Sequence, residues 1–432
     1  MIPKIIISDS DKTVVKNFFS LSTLQGISYV LPVLILPYLV RTIGPEKFGL
    51  IAFAQAFIQY FIIFTDYGFS LSATREISIH RDHKIKVNSI FSAVMTVKLL
   101  LVALSLAVAF TIVYFVPKFR DDWLLYLLSF GAVLGNALFP VWFFQGTEKM
   151  KYITLINLAG GILYALCIFI FIRAPKDYLL IPAFNSLFFL GTGLAGLRTA
   201  FKKFHLKFAI QTYADILHQI RAGWSVFLSV IAVNTYTTSR IFAVGLLTNN
   251  TVTGFYSIAE RIAGIIQTFP LASISQAIYP RLNKIFIKNK KRAVGLMYMI
   301  QDATTSAFFL AIPVAIFFSH LIVRIICGPG YPEVVIALRL LLFSVFFISA
   351  NAFKVQFLLI CEMQKAYSRI HIFAASLGLP LIFILTHYFS YLGAALATVI
   401  IEAIIYILTS QVLFYTISKK FRGIYPKTIN SI

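Results

Sequence analysis

The chain has 432 residues, of which 59% are hydrophobic and only 12% are charged, and its formal net charge is +22. A soluble core of this length could not hide so large an apolar share, because a globular protein has to cover its surface with polar groups. The composition therefore excludes an ordinary soluble protein and indicates a polytopic membrane protein.

The N-terminal region carries only a short apolar run, at residues 5–7, which is far too short for a signal peptide. We therefore expect the first hydrophobic helix to direct membrane insertion. A bilayer core is crossed by roughly 20 apolar helical residues. Twelve stretches of about that length predict membrane spans near residues 17–40, 49–69, 89–115, 123–144, 152–172, 178–197, 222–247, 252–278, 295–318, 334–359, 370–388 and 391–415. Their continuous apolar character predicts helices and excludes a barrel of alternating strands.

The Lys and Arg residues between the predicted spans are distributed unevenly. The two termini and the even-numbered connections hold 26 of the 38, whereas the odd-numbered connections hold 7. The positive-inside rule then places both termini in the cytoplasm. This bias also accounts for most of the net charge, so nucleic acid is not needed to explain it. The basic segments 288–292 and 419–422 suit an anionic inner-leaflet surface.

The longest connection, residues 198–221, alternates basic and apolar residues and is typical of an interfacial helix. It divides the chain into a six-helix lobe at residues 1–200, a cytoplasmic interfacial linker at 201–221 and a second six-helix lobe at 222–432. Residues 49–55 (GLIAFAQ) also parallel residues 254–260 (GFYSIAE), which indicates a parallel repeat. Internally repeated bundles with a central cavity are the usual architecture of secondary transporters.

Several segments resemble bacterial polysaccharide-repeat flippases, the O-antigen translocases. They are residues 31–44 (LPVLILPYLVRTIG), 46–50 (EKFGL), 65–69 (TDYGF), 73–77 (ATREI), 142–150 (WFFQGTEKM), 254–257 (GFYS) and 279–281 (YPR). The resemblance implies a member of the multidrug, oligosaccharidyl-lipid and polysaccharide exporter superfamily. Such proteins have two six-helix lobes that rock around a central cavity. They move undecaprenyl-diphosphate-linked oligosaccharides from the inner to the outer leaflet of the cytoplasmic membrane. Arg240 departs from the pattern, because many relatives carry an acidic residue there, and this puts the transfer of their ion coupling in doubt.

A flippase for such a substrate has to offer cations and hydrogen-bonding groups inside the bilayer. A central Arg or Lys costs roughly 2.5–3.5 kcal/mol, yet five lie within predicted spans. The substrate-binding candidates are Lys98, Arg240, Arg261, Arg339, Lys354 and the polar Asn234. The alternative for the cations is snorkelling to the headgroups, and for Asn234 it is a contact between helices. We expect an Arg240–Glu260 ion pair that leaves Arg261 for the diphosphate.

Four acids lie in the predicted spans: Asp66, Glu260, Asp302 and Glu402. Asp66 is interpreted as a group at the end of a helix, and Asp302 as a partner of Lys98 or Lys354. Glu402 has no neighbouring cation in sequence. It is the leading candidate for proton coupling.

Two other classes remain open. An ion-coupled multidrug exporter of the same superfamily would have a more acidic cavity. A membrane-embedded polysaccharide polymerase or glycosyltransferase would need a large outer loop or an acidic metal cluster. The outer connections are short, and Cys167, Cys327 and Cys361 have no paired spacing. We therefore expect no metal, no cofactor and no enzymatic activity. A polysaccharide polymerase and chain-length proteins are the expected protein partners.

Overall fold

The structure is a computed structural model that describes residues 9–361 and 363–420, with the side chains of most residues between 30 and 416. These residues are almost entirely helical. The helices are α1 (Asp9–Asp66), α2 (Phe69–His80), α3 (Lys84–Phe115), α4 (Pro117–Arg120), α5 (Trp123–Leu138), α6 (Val141–Gly146), α7 (Lys151–Phe171), α8 (Leu180–Phe204), α9 (Tyr213–Leu247), α10 (Asn250–Lys288), α11 (Lys290–Phe317), α12 (Ser319–Cys327), α13 (Pro332–Ile360) and α14 (Gln364–Lys420), with a 3₁₀ turn at Pro175–Leu179.

In the described part of the chain, eight helical stretches are long and apolar enough to cross a membrane, or nine if one bent pair is counted as a span. The chain is therefore a multi-pass membrane protein. Two of these stretches, Val30–His80 and Gln364–Thr416, have 51 and 53 residues. Each is about twice the length that one crossing requires.

Two predicted connections are single-residue breaks inside long helices. In α1 the break is at Gly44, whose φ of 75° is open to glycine because it has no Cβ. In α14 it is at Ser390, which has a φ of 54° and a ψ of −141°. Each of α1 and α14 is thus two helices joined at a kink, close to where the sequence predicts a connection between separate spans.

The predicted span 123–144 is interrupted. Helix α5 ends at Leu138, and α6 begins only at Val141. Pro140 has no N–H and disfavours the helical conformation in the residue before it, so Phe139 is extended (φ −78°, ψ 110°). The proline signal in the sequence was overlooked.

The predicted interfacial helix at residues 198–221 was also wrong. Helix α8 continues to Phe204, the left-handed His205 (φ 54°) ends it, and the chain is not helical again until Tyr213. Side chains of Asn88 and Ser92 in α3 accept hydrogen bonds that hold part of this segment. Lys207 donates its N–H to Asn88, and Ala209 donates its N–H to Ser92.

The helices form two compact units. Unit 1 contains the described residues up to Ile43 and Phe57–Leu228, and unit 2 contains Gly44–Ala56 and the described residues from Ser229 onward. The boundary between them therefore falls inside α9, and a short piece of α1 belongs to unit 2.

Each unit has its own apolar core. In unit 1, Phe91 of α3 packs against Trp142 and Phe143 of α6, and all three rings are buried. In unit 2, Met297 of α11 and Phe357 of α13 are fully buried in one hydrophobic cluster. These cores fix the backbone positions from which the polar side chains project.

Candidate functional site

Unit 1 contains one buried charge pair within its membrane helices. The Lys98 side chain of α3 is only 2% exposed, and its Nζ lies 3.5 Å from Oδ1 of Asp66 at the end of α1. Ser70 of α2 donates a hydrogen bond of 3.1 Å to the other carboxylate oxygen. Asp66 is thus a helix-end group, and it partners Lys98. The prediction that Asp302 could do so was wrong.

Unit 2 contains a cluster with one cation and two acids. The Nη2 of Arg240 donates a 2.7 Å hydrogen bond to Oε1 of Glu402, and its Nη1 lies 3.9 Å from Oε1 of Glu260. The three residues come from α9, α14 and α10. The expected Arg240–Glu260 contact is present, but the shorter bond goes to Glu402. The interpretation of Glu402 as an acid without a partner was therefore wrong.

Aromatic rings and a hydroxyl surround this cluster. The Arg240 guanidinium lies 5.6 Å from the centre of the Tyr236 ring, and that ring stacks on His371. The hydroxyl of Tyr256 is 3.4 Å from that of Thr398. The Nε of Arg240 and the Nδ1 of His371 have no hydrogen-bond partner among the described atoms. The arrangement is a desolvated ionic cluster with two carboxylates for one guanidinium.

Arg261 lies one residue beyond Glu260 on α10 and has a different environment. It is exposed, donates a 2.7 Å hydrogen bond to Oε1 of Gln55, and lies 5.1 Å from the centre of the Phe48 ring. Arg261 is thus exposed but held by Gln55, and its availability to a diphosphate stays a prediction. Sequence reasoning missed Gln55, although the repeat alignment places it opposite Glu260.

A close helix crossing brings Gln55 to Arg261. A Cβ on Gly49 would overlap backbone atoms of Asn250 and Gly254, and a Cβ on Gly254 would overlap the backbone of Pro45. Only glycine allows the two backbones to approach so closely. The two segments that resemble each other in sequence are thus in contact within unit 2.

The remaining candidates have neutral partners. Lys354 donates to Ser410 (2.9 Å) and lies 4.1 Å from the centre of the Tyr406 ring. The Asp302 carboxylate also acts electrostatically on Lys354, which is one of the two partners predicted for Asp302. Arg339 donates to Ser319 (2.8 Å). Asn234 bonds the carbonyl of Val230 in its own helix, as a helix-stabilising side chain would.

The structure therefore distributes the predicted site residues over several places. It joins Arg240, Glu260 and Glu402 in one cluster, with Arg261 beside it. Lys98 and Asp66 form a second site in unit 1, whereas Arg339 and Asn234 make only neutral hydrogen bonds. Among the described residues there is no group of three or more His, Cys, Asp or Glu side chains that could hold a metal ion.

One acid outside the membrane helices has a different kind of support. Oδ2 of Asp177, in the connection between α7 and α8, accepts hydrogen bonds of 2.9 Å from the N–H groups of Arg173 and Ala174. These two bonds hold the pKa of Asp177 below its ordinary value. The carboxylate is thus stabilised by backbone donors rather than by a cation in the membrane.

Comparison with solved structures shows a known transporter fold. The chain is similar to a multidrug resistance MATE family transporter of the MOP superfamily in an inward-facing conformation. The TM-score is 0.73 at 15% identity, over 91% of this chain and 96% of that one. It is also similar to the lipid II flippase MurJ in an inward closed conformation. There the TM-score is 0.71 at 14% identity, over 92% and 87% of the two chains.

Comparison of sequences gives the family. A protein of Escherichia coli (strain K12) named "Putative O-antigen transporter" is 32% identical over 409 residues, which cover 94% of this chain and 97% of the relative. The pattern of the family described as "Polysaccharide biosynthesis protein" matches residues 14–286. The chain belongs to this polysaccharide biosynthesis protein family.

Proposed function

We propose that the protein is a flippase for lipid-linked oligosaccharides. It moves undecaprenyl-diphosphate-linked repeat units from the inner to the outer leaflet of the bacterial cytoplasmic membrane, for O-antigen or another surface polysaccharide. The observation that carries this proposal is the likeness to the Escherichia coli relative named as an O-antigen transporter, which extends over nearly the whole length of both chains. The MurJ-like fold is consistent with it.

The proposed architecture has twelve membrane helices in two six-helix lobes around a central cavity, with both termini cytoplasmic. Helices α1 and α14 support the count, because each is long enough for two crossings, one on each side of its break. Helices α5 and α6 together make one crossing. The lobes correspond to residues 1–200 and 222–432, joined by the linker at 201–221.

The substrate's diphosphate needs a cation that is accessible inside the bilayer. Arg261 meets this need best, because it is exposed although it lies well inside α10, and lipid is a costly neighbour for a guanidinium. Its exposed face is therefore on a polar space, for which the central cavity is the proposed location. Gln55 orients the guanidinium through one hydrogen bond, and the exposed guanidinium is the proposed partner of the phosphate oxygens.

The remaining cations have subordinate roles in the proposal. Lys354 and Arg339 have no carboxylate hydrogen-bonded to them among the described residues, so each keeps its charge for the glycan-bearing headgroup. Lys98 is paired and buried, and Arg240 is enclosed by two acids. For these two we propose that substrate contact requires a conformation in which their ion pairs open. Asn234 contributes a hydrogen-bonding site for sugar hydroxyls only if its bond to Val230 is exchanged.

We propose that coupling involves the cluster of Arg240, Glu260 and Glu402. Arg240 contacts both carboxylates, and Arg261 also acts electrostatically on Glu260. A carboxylate that shares its cation with a second acid can exchange that cation for a proton. Asp66 and Asp302 are the alternative coupling acids, but Asp66 is already balanced by Lys98.

No enzymatic step is needed for this function, and the Escherichia coli relative is named a transporter. Moving a lipid-linked glycan between leaflets forms and breaks no bond. The glycan is consumed at the outer surface by a polymerisation reaction, so a polysaccharide polymerase and chain-length proteins are the proposed partners.

The proposal is tested by complementation in cells that lack their own flippase. Arg261→Gln should lower surface glycan about ten- to hundredfold at unchanged protein level, because a hydrogen bond to a charged group contributes about 1.5–3 kcal/mol. Lys288→Gln is the matched control, since it removes a charge from the exposed end of the same helix. A parental level of surface glycan in the Arg261→Gln variant would show that Arg261 does not bind the diphosphate. Drug resistance without any glycan from the parental protein would instead make it a multidrug exporter.

A further inference from the structure

Unit 1 contains a second polar site, at a distance in sequence from the buried charges. A cavity of about 370 Å³ lies where the end of α2, the start of α3, the end of α6 and the segment after α8 meet. Its basic lining residues are Arg81, Lys84, His205 and Lys207, and no carboxylate is among the lining residues. A concave site of this size is at the lower end of the range for small-molecule pockets, about 300–1,000 Å³.

The segment that supplies Lys207 is held in place by side chains of α3. The Lys207 N–H donates to Oδ1 of Asn88 (2.6 Å), the Ala209 N–H donates to Ser92 Oγ (3.2 Å), and Ser89 Oγ donates to Gln211 (2.8 Å). Leu206 is buried beneath it. The cavity is therefore a built feature, because its connection follows α3 instead of extending freely into solvent.

The protein neutralises only part of the positive charge in the cavity. Arg81 pairs with Glu148 at 2.8 Å. Lys84 and Lys207 have no ion-pair partner among the described residues, and both are exposed. About two positive charges therefore remain at the mouth, over a floor that includes Phe143 and Phe204. An anion with an apolar neighbour matches this combination.

The surroundings of the cavity indicate the membrane surface. Ile85 is 89% exposed and Ile210 is 97% exposed, and Phe208 beside them is half exposed. Such side chains next to lysines are typical of a surface that enters the headgroup region. The cavity is also formed by the second, fourth and sixth connections, which carry the positive charge assigned to the cytoplasmic side.

We propose that this cavity binds the phosphate headgroup of an anionic phospholipid of the inner leaflet, such as phosphatidylglycerol. The lysines contact the phosphate, and the acyl chains stay in the bilayer beside Ile85 and Ile210. Basic pockets at the cytoplasmic ends of membrane helices suit such headgroups. The lipid-linked oligosaccharide is disfavoured as occupant, since several sugars and a diphosphate exceed a cavity of about 370 Å³.

The test measures lipid bound to the purified full-length protein by native mass spectrometry, with phosphatidylglycerol and phosphatidylcholine of identical acyl chains. The double variant Lys84→Gln/Lys207→Gln should bind phosphatidylglycerol about tenfold more weakly than the parent, and binding of phosphatidylcholine should not change. The matched control is Lys86→Gln/Lys202→Gln, which removes two exposed charges from α3 and α8 outside the cavity. It should bind both lipids like the parent.

Equal weakening in the two double variants would reduce the effect to net charge and overturn the site. Equal retention in both would also overturn it. Inorganic phosphate that displaces the lipid completely would assign the cavity to a free anion instead. Thermal unfolding without added lipid checks that the variants are folded, and the single variant Lys84→Gln replaces the double one if it is not. Lipid binding is measured without transport, so its failure leaves the flippase proposal untouched.

Discussion

The two units stabilise buried charge in different ways. In unit 1, Lys98 faces one acid, Asp66, whose side chain is 27% exposed and is also bonded to Ser70. In unit 2, Arg240 faces two acids, Glu402 and Glu260, inside a ring of aromatic side chains. The first site joins one cation to one acid, whereas in the second one guanidinium is shared by two acids, and Arg261 also acts electrostatically on Glu260.

This difference assigns a structural role to the Lys98–Asp66 pair and, in the proposal, a coupling role to the cluster of Arg240, Glu260 and Glu402. A balanced pair gains nothing from binding a proton, because protonation of the acid would leave the cation uncompensated. In the second site, protonation of one acid leaves Arg240 paired with the other acid, so the buried cation keeps a counter-ion. Two intramembrane ion pairs that look equivalent in the sequence are thus expected to respond differently to substitution and to pH.

The largest effect is expected from removing the cation that the two acids of unit 2 share. Arg240→Gln leaves Glu402, which is 10% exposed, without its hydrogen-bonded cation, and breaking a buried pair from one side costs about 3–5 kcal/mol. Thermal unfolding monitored by fluorescence-detected size exclusion should show a large loss of stability. The double variant Arg240→Gln/Glu402→Gln should recover most of it. A single variant as stable as the parent would mean that the cluster is hydrated.

A smaller and asymmetric effect is expected in unit 1. Asp66→Asn leaves the ammonium of Lys98, which is 2% exposed, without its counter-ion. Lys98→Gln leaves an acid that can reach water and Ser70. The same unfolding measurement should therefore give a loss of about 1–3 kcal/mol for Asp66→Asn and less for Lys98→Gln. The reverse order would show that the acid is the more desolvated partner.

Substitutions of the two acids of unit 2 should differ in their effect on protein stability and should have the same effect on the pH response of transport. Glu402→Gln loses a 2.7 Å bond, whereas Glu260→Gln loses a contact of 3.9 Å, so only the former should lower stability clearly. Each substitution removes one of the two acids that share Arg240, and each should abolish the dependence of transport in vesicles on a pH gradient. Asp177→Asn, in the connection between α7 and α8, is the control and should retain it. A parental pH response in Glu260→Gln would place coupling elsewhere.

The smallest effect is expected at Asp177, an acid that needs no cation. Its folded-state pKa is lowered by the N–H groups of Arg173 and Ala174, so the stabilisation is present above the unfolded-state pKa and is lost as pH falls through the lowered value. Asp177→Asn should therefore be slightly less stable than the parent at neutral pH. The difference should vanish in acid, as thermal unfolding at several pH values can show. A difference that persists in acid would assign it to lost geometry.

Much of the fold could be predicted from hydropathy, because lipid requires long apolar helices whatever they pack against. The predicted spans place a break near Gly44 and near Ser390, but hydropathy could not show that each break is a single residue of unusual φ. Charge partners were harder still. Arg240 and Glu402 are 162 positions apart, and no local periodicity relates them. Gln55 was missed as a partner of Arg261, although its alignment with Glu260 was a usable signal.

The segment Gly44–Ala56 has a consequence for biosynthesis. It belongs to unit 2, yet the ribosome makes it long before the helix it contacts, since Gly49 precedes Gly254 by 205 residues. Domains of a nascent chain generally fold in order of synthesis. Unit 2 cannot follow that rule completely, because its first segment, Gly44–Ala56, stays in the membrane without its contacts until α10 is inserted. Assembly is therefore completed only after translation has passed the middle of the chain, and a chain truncated before α10 leaves the glycine surface of α1 open to other partners.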